Sequence, residues 1–318
     1  MIGDLGTWIV LALAVAAMLA FDLVFFGRGA AEISFRTALV WSAVWTGVGV
    51  AFVGVVWWLR GAGAAEEYLA GYVIEKSLSI DNLFVFAMIF GYFAVPAALQ
   101  RRVIFWGIVG AIVLRGAFIF AGAALLDAFH WMVYVFGAFL VVTAIRMARH
   151  SEVEIHPDQN PALRLLRRMI PITNEYHGER FFIRRAGVRM ATPLVAALVL
   201  VATFDVVFAV DSIPAIFAVT DDTFVVYAAN AMSLLGLTAL YFLLAGMIQR
   251  FVYLSLGLAV VLGFVGIKML IVDLYKIPVL VSLGVIVGVL TVAVVWSLRT
   301  SREGGPGADG AHAPQESG

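Results

Sequence analysis

Polar residues in this chain fall mostly between long apolar runs. Nine runs are long enough for a bilayer-crossing helix, which takes about 20 predominantly apolar residues. They are Trp8–Phe26, Ala38–Leu59, Tyr68–Val95, Val103–Leu126, Trp131–Ala148, Ala191–Val219, Phe224–Ile248, Val252–Val272 and Val279–Leu298. Lipid gives the backbone no hydrogen-bond partner, so helices are expected and strands are not. The first run reads as a retained span. Asp4 precedes it with no basic residue, although Ala14-Val15-Ala16 imitates a cleavage site.

Composition agrees with that pattern. Of 318 residues, 63% are hydrophobic and 13% charged, about half the charged share of a soluble domain. A water-soluble enzyme is therefore not expected. Basic and acidic residues balance at 21 each, so nucleic acid is not an expected partner, and a count of zero Cys removes disulfides, thiol nucleophiles and Cys metal sites. The expectation is an all-α integral membrane protein, multi-pass in the cell (inner) membrane, with one bundle over residues 1–299.

The placement of Lys and Arg predicts orientation. Sixteen basic residues fall on one side of the nine spans, most of them in the fifth loop: Arg28, Arg36, Arg101, Arg102, Arg146, Arg149, Arg164, Arg167, Arg168, Arg180, Arg184, Arg185, Arg189, Arg250, Arg299 and Arg302. The other side carries only Arg60 and Lys276, beside Glu66, Glu67, Asp127, Asp221, Asp222 and Asp273. The alternation predicts N-terminus out and C-terminus in. The Arg-rich loop at 150–190 is then cytoplasmic, with an interfacial segment or short helix around Leu163–Ile170 near anionic headgroups. The polar tail at 300–318 reads as disordered. With only His312 it is no His-rich metal tail.

Eight charged residues remain inside the runs: Lys76, Arg115, Lys268, Asp22, Glu75, Asp81, Asp205 and Asp211. Each would cost about 2.5–3.5 kcal/mol at the centre of a lone inserted helix, so they must face one another or water. One reading is a structural salt-bridge network. The other is a cation path, which better explains carboxylates concentrated on the third and sixth runs.

Those two runs carry related patterns. Glu75-Lys76-Ser77-Leu78-Ser79-Ile80-Asp81-Asn82 and Asp205-Val206-Val207-Phe208-Ala209-Val210-Asp211-Ser212 each place a second acid six residues after the first, followed by a small polar side chain. Spans three apart run oppositely, so these segments predict an inverted repeat with a site near the midplane. At about 100° per residue, Asn82 stands nearly above Glu75 and Ser212 above Asp205, while Asp81 and Asp211 are turned by about 120°. Breaks near Ser77, Ser79 and Pro214 are therefore expected, to aim each whole motif at one ion. Rise per residue suggests two stacked layers, Asp81 with Asp205 at mid-depth and Glu75 with Asp211 about two turns outward. Asn230 falls near the outer layer, and Arg115 and Lys268 could neutralise the acids. The oxygen donors suit Mn²⁺, Ca²⁺ or Mg²⁺ better than Zn²⁺ or copper. Carboxylates paired at low dielectric can exchange a metal for protons.

The two acidic motifs, with Leu235-Gly236-Leu237-Thr238-Ala239-Leu240-Tyr241-Phe242 and the loop Tyr176-His177-Gly178-Glu179-Arg180-Phe181-Phe182, resemble the TerC family of integral membrane proteins. The similarity runs from about Phe21 to Asp273. The family is named for tellurium resistance, and its bacterial members are linked to Mn²⁺ export. The resemblance implies Glu75, Asp81, Asn82, Asp205, Asp211 and Ser212 as metal-path residues. The placement of the other polar residues within the runs adds Asp22, Lys76, Arg115, Asn230 and Lys268 as candidates for lining the path or balancing charge. Ala202 stands where the family pattern expects Glu, Phe204 where it expects Thr or Ser, and Thr238 where it expects Arg. Two explanations stand: Ala202 and Thr238 replace an interacting acid and base lost together, or the ion preference or transport itself has changed.

The leading expectation is an exporter of divalent cations, Mn²⁺ foremost, by proton antiport. Its partners are the cation, protons and the bilayer, and no prosthetic group is called for. The alternative is a non-transporting accessory factor for metal loading or membrane-protein insertion. An intramembrane enzyme is disfavoured: there is no Gly-x-Ser-x-Gly, no His-Glu-x-x-His and no His within a run. Orientation is tested with single cysteines, since the chain has none. Asp221→Cys should label with an impermeant thiol reagent in intact cells and Asn160→Cys should not; the reverse pattern rejects the assignment.

Overall fold

The computed structural model describes residues 5–27, 34–149, 159–185, 187–245 and 253–303, with residues 25–27, 81, 254, 298 and 301–303 described in their backbone alone. Helices stand at all nine predicted runs. They are α1 (Leu5–Gly27), α2 (Phe35–Arg60), α3 (Ala62–Tyr92), α4 (Ala97–Ala128), α5 (Met132–Arg149), α7 (Pro193–Phe217), the pair α8 (Thr223–Leu234) and α9 (Leu237–Leu244), α10 (Leu254–Leu270) and α11 (Val279–Glu303). A short helix, α6 (Pro161–Met169), precedes a hairpin of β1 (Phe182–Arg185) and β2 (Val188–Ala191).

The expected count of nine spans is not reached by length and apolarity alone. Six described helices are long and apolar enough to cross a membrane, or seven if α8 and α9 form one bent span. The two shortfalls have separate causes. Helix α3 carries Glu66, Glu67, Glu75, Lys76 and Asp81, and α10 is only 17 residues long. Both nevertheless pack within the bundle, α3 against α2, α7 and α8, and α10 against α5.

The expected breaks are also displaced. Both α3 and α7 are continuous, and α7 runs through Pro214 to Phe217. Ser77 donates its hydroxyl to its own helix, at Val73 O 2.6 Å away. Pro214 lies so near the end of α7 that its missing N–H disturbs only the final turns. The break falls instead between α8 and α9, a bend of 45°. Gly236 holds φ +79° there, and an added Cβ would lie 2.4 Å from Trp45 Cβ. Only glycine meets both demands.

Contacts at each end of the bundle group residues that the charge pattern had put on one side. At one end Arg60 donates to both Asp222 oxygens at 2.9 and 3.1 Å, Thr220 donates to Glu67 at 2.5 Å, and Tyr134 donates to Asp273. At the other, Tyr176 donates to Phe93 O at 2.8 Å, Arg102 bonds Glu179 at 2.5 Å, and Tyr241 donates to Gln100 at 3.1 Å. The Arg-rich segment is more structured than expected. Helix α6 falls where a short helix was predicted, Asn160 capping it through Leu163 N at 3.0 Å. The β-hairpin was not foreseen. Residues 300–303, expected to open the disordered tail, are instead the helical end of α11, and residues 304–318, like 150–158, lie outside the described residues.

Helices α5 and α10 pack backbone against backbone at two glycines. A Cβ at Gly266 would meet Gly137 O at 2.8 Å, and one at Gly137 would meet Gly266 O at 3.0 Å. Lipid tails give helices little hydrophobic reason to associate, so such backbone proximity supplies dispersion and packing energy. Gly266→Val should lower thermal stability in detergent by about 1–3 kcal/mol through overpacking. Gly288→Ala, with nothing within 4 Å of its Cβ position, should leave it unchanged. Equal melting of the two variants would reject the contact.

Candidate functional site: a buried guanidinium between two carboxylates

One face of α3 presents Glu75, Ser79 and Asn82, spaced i, i+4 and i+7, which aligns them along a straight helix. All three are buried. On α7 the seven-residue step likewise aligns Asp205 with Ser212, both buried, with Ala209 between them. Because neither helix breaks, these aligned positions turn inward together, while Asp211, six residues after Asp205, turns to another side.

Arg115, from α4, joins the two faces. Its guanidinium is 1% exposed, pairs with Glu75 through Nη1, and reaches Asp205 Oδ1 through Nε at 3.1 Å and Nη2 at 3.0 Å. Nη1 also stands 3.5 Å from Ser212 Oγ. One cation thus holds one oxygen of each acid. Glu75 Oε2 and Asp205 Oδ2 have no partner among the described residues, nor do Ser79 Oγ, Asn82 Oδ1 and Asn230 Nδ2. Buried polar atoms are ordinarily satisfied, so this concentration of free oxygens marks the region as built for something beyond packing.

The remaining predicted residues fall elsewhere. Glu75 and Asp205 share Arg115 and Asp211 lies elsewhere, so the expected layer of Glu75 with Asp211 does not form as drawn. The expected pairing of Asp81 with Asp205 falls outside the described residues. Asp211 turns to α5, where Thr143 donates to Oδ1 at 3.3 Å and Arg146 acts on its charge. Lys268 interacts with Glu67 near the bundle end and not with the motif acids. Lys76 donates to Ser233 O at 3.0 Å and Leu235 O at 3.2 Å, binding the carbonyls released at the α8–α9 break. The side chain of Asp81 lies outside the described residues. Asp22, on α1, accepts from Thr238 Oγ1 at 3.2 Å, so Thr238 looks to α1 and not to Ala202.

Among the described residues, no group of three or more His, Cys, Asp or Glu side chains could hold a metal ion. What gathers is two acids, a base, hydroxyls and an amide. Sequence reasoning had Arg115 as a balancing charge, and its role as the joint between the two motifs was invisible because α4 carries no motif of its own. Gln100 and Thr143 were missed for the same reason, while Tyr176, quoted in the loop motif, was given no partner. A separate groove of about 580 Å³ between α10 and α11, lined by Gly257, Val260, Gly284, Gly288 and Trp296, is apolar and contains none of these residues.

This arrangement defines a multi-pass helical membrane protein with a charged, oxygen-rich interior. The family model described as "Integral membrane protein TerC family" matches residues 60–304, and the chain belongs to that family. It is 47% identical over 301 residues to an uncharacterised membrane protein of Myxococcus xanthus, covering 95% of this chain and 94% of that one. It is 49% identical over 297 residues to Escherichia coli K12 Alx, described as a candidate membrane-bound redox modulator, covering 91% and 92%. A Rickettsia bellii membrane protein is 34% identical over 292 residues, covering 92% and 97%. No solved structure matches the chain.

Removing Arg115 should be more damaging than removing all three charges. Arg115→Met leaves two buried carboxylates unpaired, and breaking such a pair typically costs about 3–5 kcal/mol. Adding Glu75→Gln and Asp205→Asn should restore most of that stability, measured by thermal unfolding in detergent. A triple variant no more stable than the single one would show that the cluster is not held by these charges.

Proposed function

We propose that this protein exports divalent cations, Mn²⁺ foremost, in exchange for protons, along a path between α3 and α7. The observation that carries the reading is the pair of buried carboxylates on one guanidinium, each with a free oxygen, beside the free oxygens of Ser79 and Asn82. Hard oxygen donors of this kind suit Mn²⁺, Ca²⁺ and Mg²⁺. Arg115 acts as the resident counter-charge, and an arriving divalent ion competes with it for Glu75 and Asp205. Asp81, Asn82 and Ser212 complete the ligand set, and Asp211 relays toward α5.

The packing supports the inverted repeat that such a path requires. Helix α3 packs on α8 as α4 packs on α7, while α5 pairs with α10. Exchanging α3, α4 and α5 with α7, α8 and α10 reproduces these contacts. The reading takes nine crossings, with α3 and α10 included, N-terminus out and C-terminus in, and that arrangement and the charge pattern support it. The redox description of the E. coli relative offers a different reading. With no cysteine in the chain, such a role here would not use thiol chemistry of its own.

The test is ion movement into proteoliposomes, scanning Mn²⁺, Ca²⁺, Mg²⁺ and Zn²⁺ with and without a pH gradient. Mn²⁺ flux should rise with the gradient. Asp81→Asn and Asp205→Asn should each lower it by at least about 10–100-fold, the usual loss when even a supporting partner of a metal ligand is removed, while leaving inserted yield intact. Cellular Mn²⁺ resistance that survives neutralising both Asp81 and Asp211 would favour the accessory-factor alternative.

A further inference from the structure

Asp22 differs from the other buried acids. Glu75 and Asp205 share Arg115, Arg146 acts on Asp211, and Lys268 acts on Glu67. Asp22 is 6% exposed, and its one hydrogen bond among the described residues is from the neutral hydroxyl of Thr238; Oδ1 has none. The residue before it, Phe21, makes aromatic contacts with α2. The Phe21 ring lies 5.3 Å from Trp41 and 5.8 Å from Trp45, and Trp45 abuts Gly236, two residues before Thr238. Ser42, on the same turn of α2, is also buried with a free hydroxyl. Charged residues on the adjoining helices are Arg36 and Arg60 on α2 and Arg101, Arg102, Arg115 and Asp127 on α4, with none on α8 or α9. Among the described residues, none of them forms an ion pair or hydrogen bond with Asp22, whose partner is Thr238.

An isolated carboxylate in this apolar setting is costly, and a carboxyl group relieves that cost by taking up a proton. We propose that Asp22 is the proton-binding station of the exchange, set apart from the metal-binding acids and positioned by Thr238. The assignment rests on the export reading for its role and on the local geometry for its chemistry. The sequence supports it: Phe21-Asp22-Leu23-Val24-Phe25 repeats the spacing of Phe204-Asp205-Val206-Val207-Phe208, with the cation omitted. A physical link to the metal acids exists. Thr238 rides on α9, α9 meets α8 at the bend, and the bend is held by Lys76, the residue next to Glu75. Protonation at Asp22 and ion binding at Glu75 thus act on opposite sides of one hinge.

Two measurements test this. Infrared difference spectra of the lipid-embedded protein across a pH titration should contain a protonated-carboxyl stretch that disappears in Asp22→Asn. Thr238→Val removes a hydrogen bond that favours the ionised form, so the same band should persist to a pH higher by about one unit. In proteoliposomes, Mn²⁺ uptake by Asp22→Asn should no longer respond to an imposed pH gradient. A wild-type spectrum without the Asp22 band overturns the proposal, as does pH-coupled Mn²⁺ uptake that is equal in wild type and Asp22→Asn. If the band is present and shifts in Thr238→Val but wild type moves no Mn²⁺, the export reading falls and the proton site stands. Should Asp22→Asn fail to insert, the Thr238→Val shift decides: a band that does not move overturns the proposal.

Discussion

The guanidinium of Arg115 between Glu75 and Asp205 organises the centre of this bundle. Two ionised carboxylates in a low-dielectric interior are tolerated here because a guanidinium lies between them, and removing it leaves both uncompensated. That requirement brings α3, α4 and α7 to a common depth. It also selects which face of each helix turns inward. Once Glu75 and Asp205 face Arg115, Asn82 and Ser212 follow on the same stripes, and Asp211 is carried round to α5.

The second organising feature is the bend between α8 and α9. A helix broken inside a membrane protein releases carbonyls that lipid cannot satisfy, and here the ammonium of Lys76 takes two of them. Adjacent residues of α3 therefore serve different ends. Glu75 meets the guanidinium, while Lys76 secures the hinge. Gly236 permits the turn and lets Trp45 approach closely. The motif that singles out this region thus combines chemistry with support, a division that residue type alone does not reveal.

The substitutions at Ala202, Phe204 and Thr238 take on a clearer meaning in three dimensions. Thr238 bonds Asp22 across from α1, which makes the local partner of position 238 an acid on the first helix. A paired loss with position 202 is therefore not what the packing displays. The hydroxyl at 238 instead leaves Asp22 with a neutral companion, a different electrostatic setting from an arginine at the same place.

Much of the architecture was legible in the amino-acid order. Apolar run length located the helices, because lipid demands internal hydrogen bonding over a fixed thickness. Seven-residue spacing correctly aligned Glu75 with Asn82 and Asp205 with Ser212, because helical rotation is a local property. Other features depended on tertiary structure. The partner of each buried charge, the location of the helix break, the turn of Asp211 toward Thr143 and the β-hairpin after α6 arise from contacts between distant segments. The buried acids could be named from sequence, but only packing decided that two share Arg115, one lies beside Arg146 and Asp22 has a hydroxyl alone. The reason is physical: in a medium of low dielectric a charge is defined by its nearest counter-charge, and here that neighbour comes from another helix.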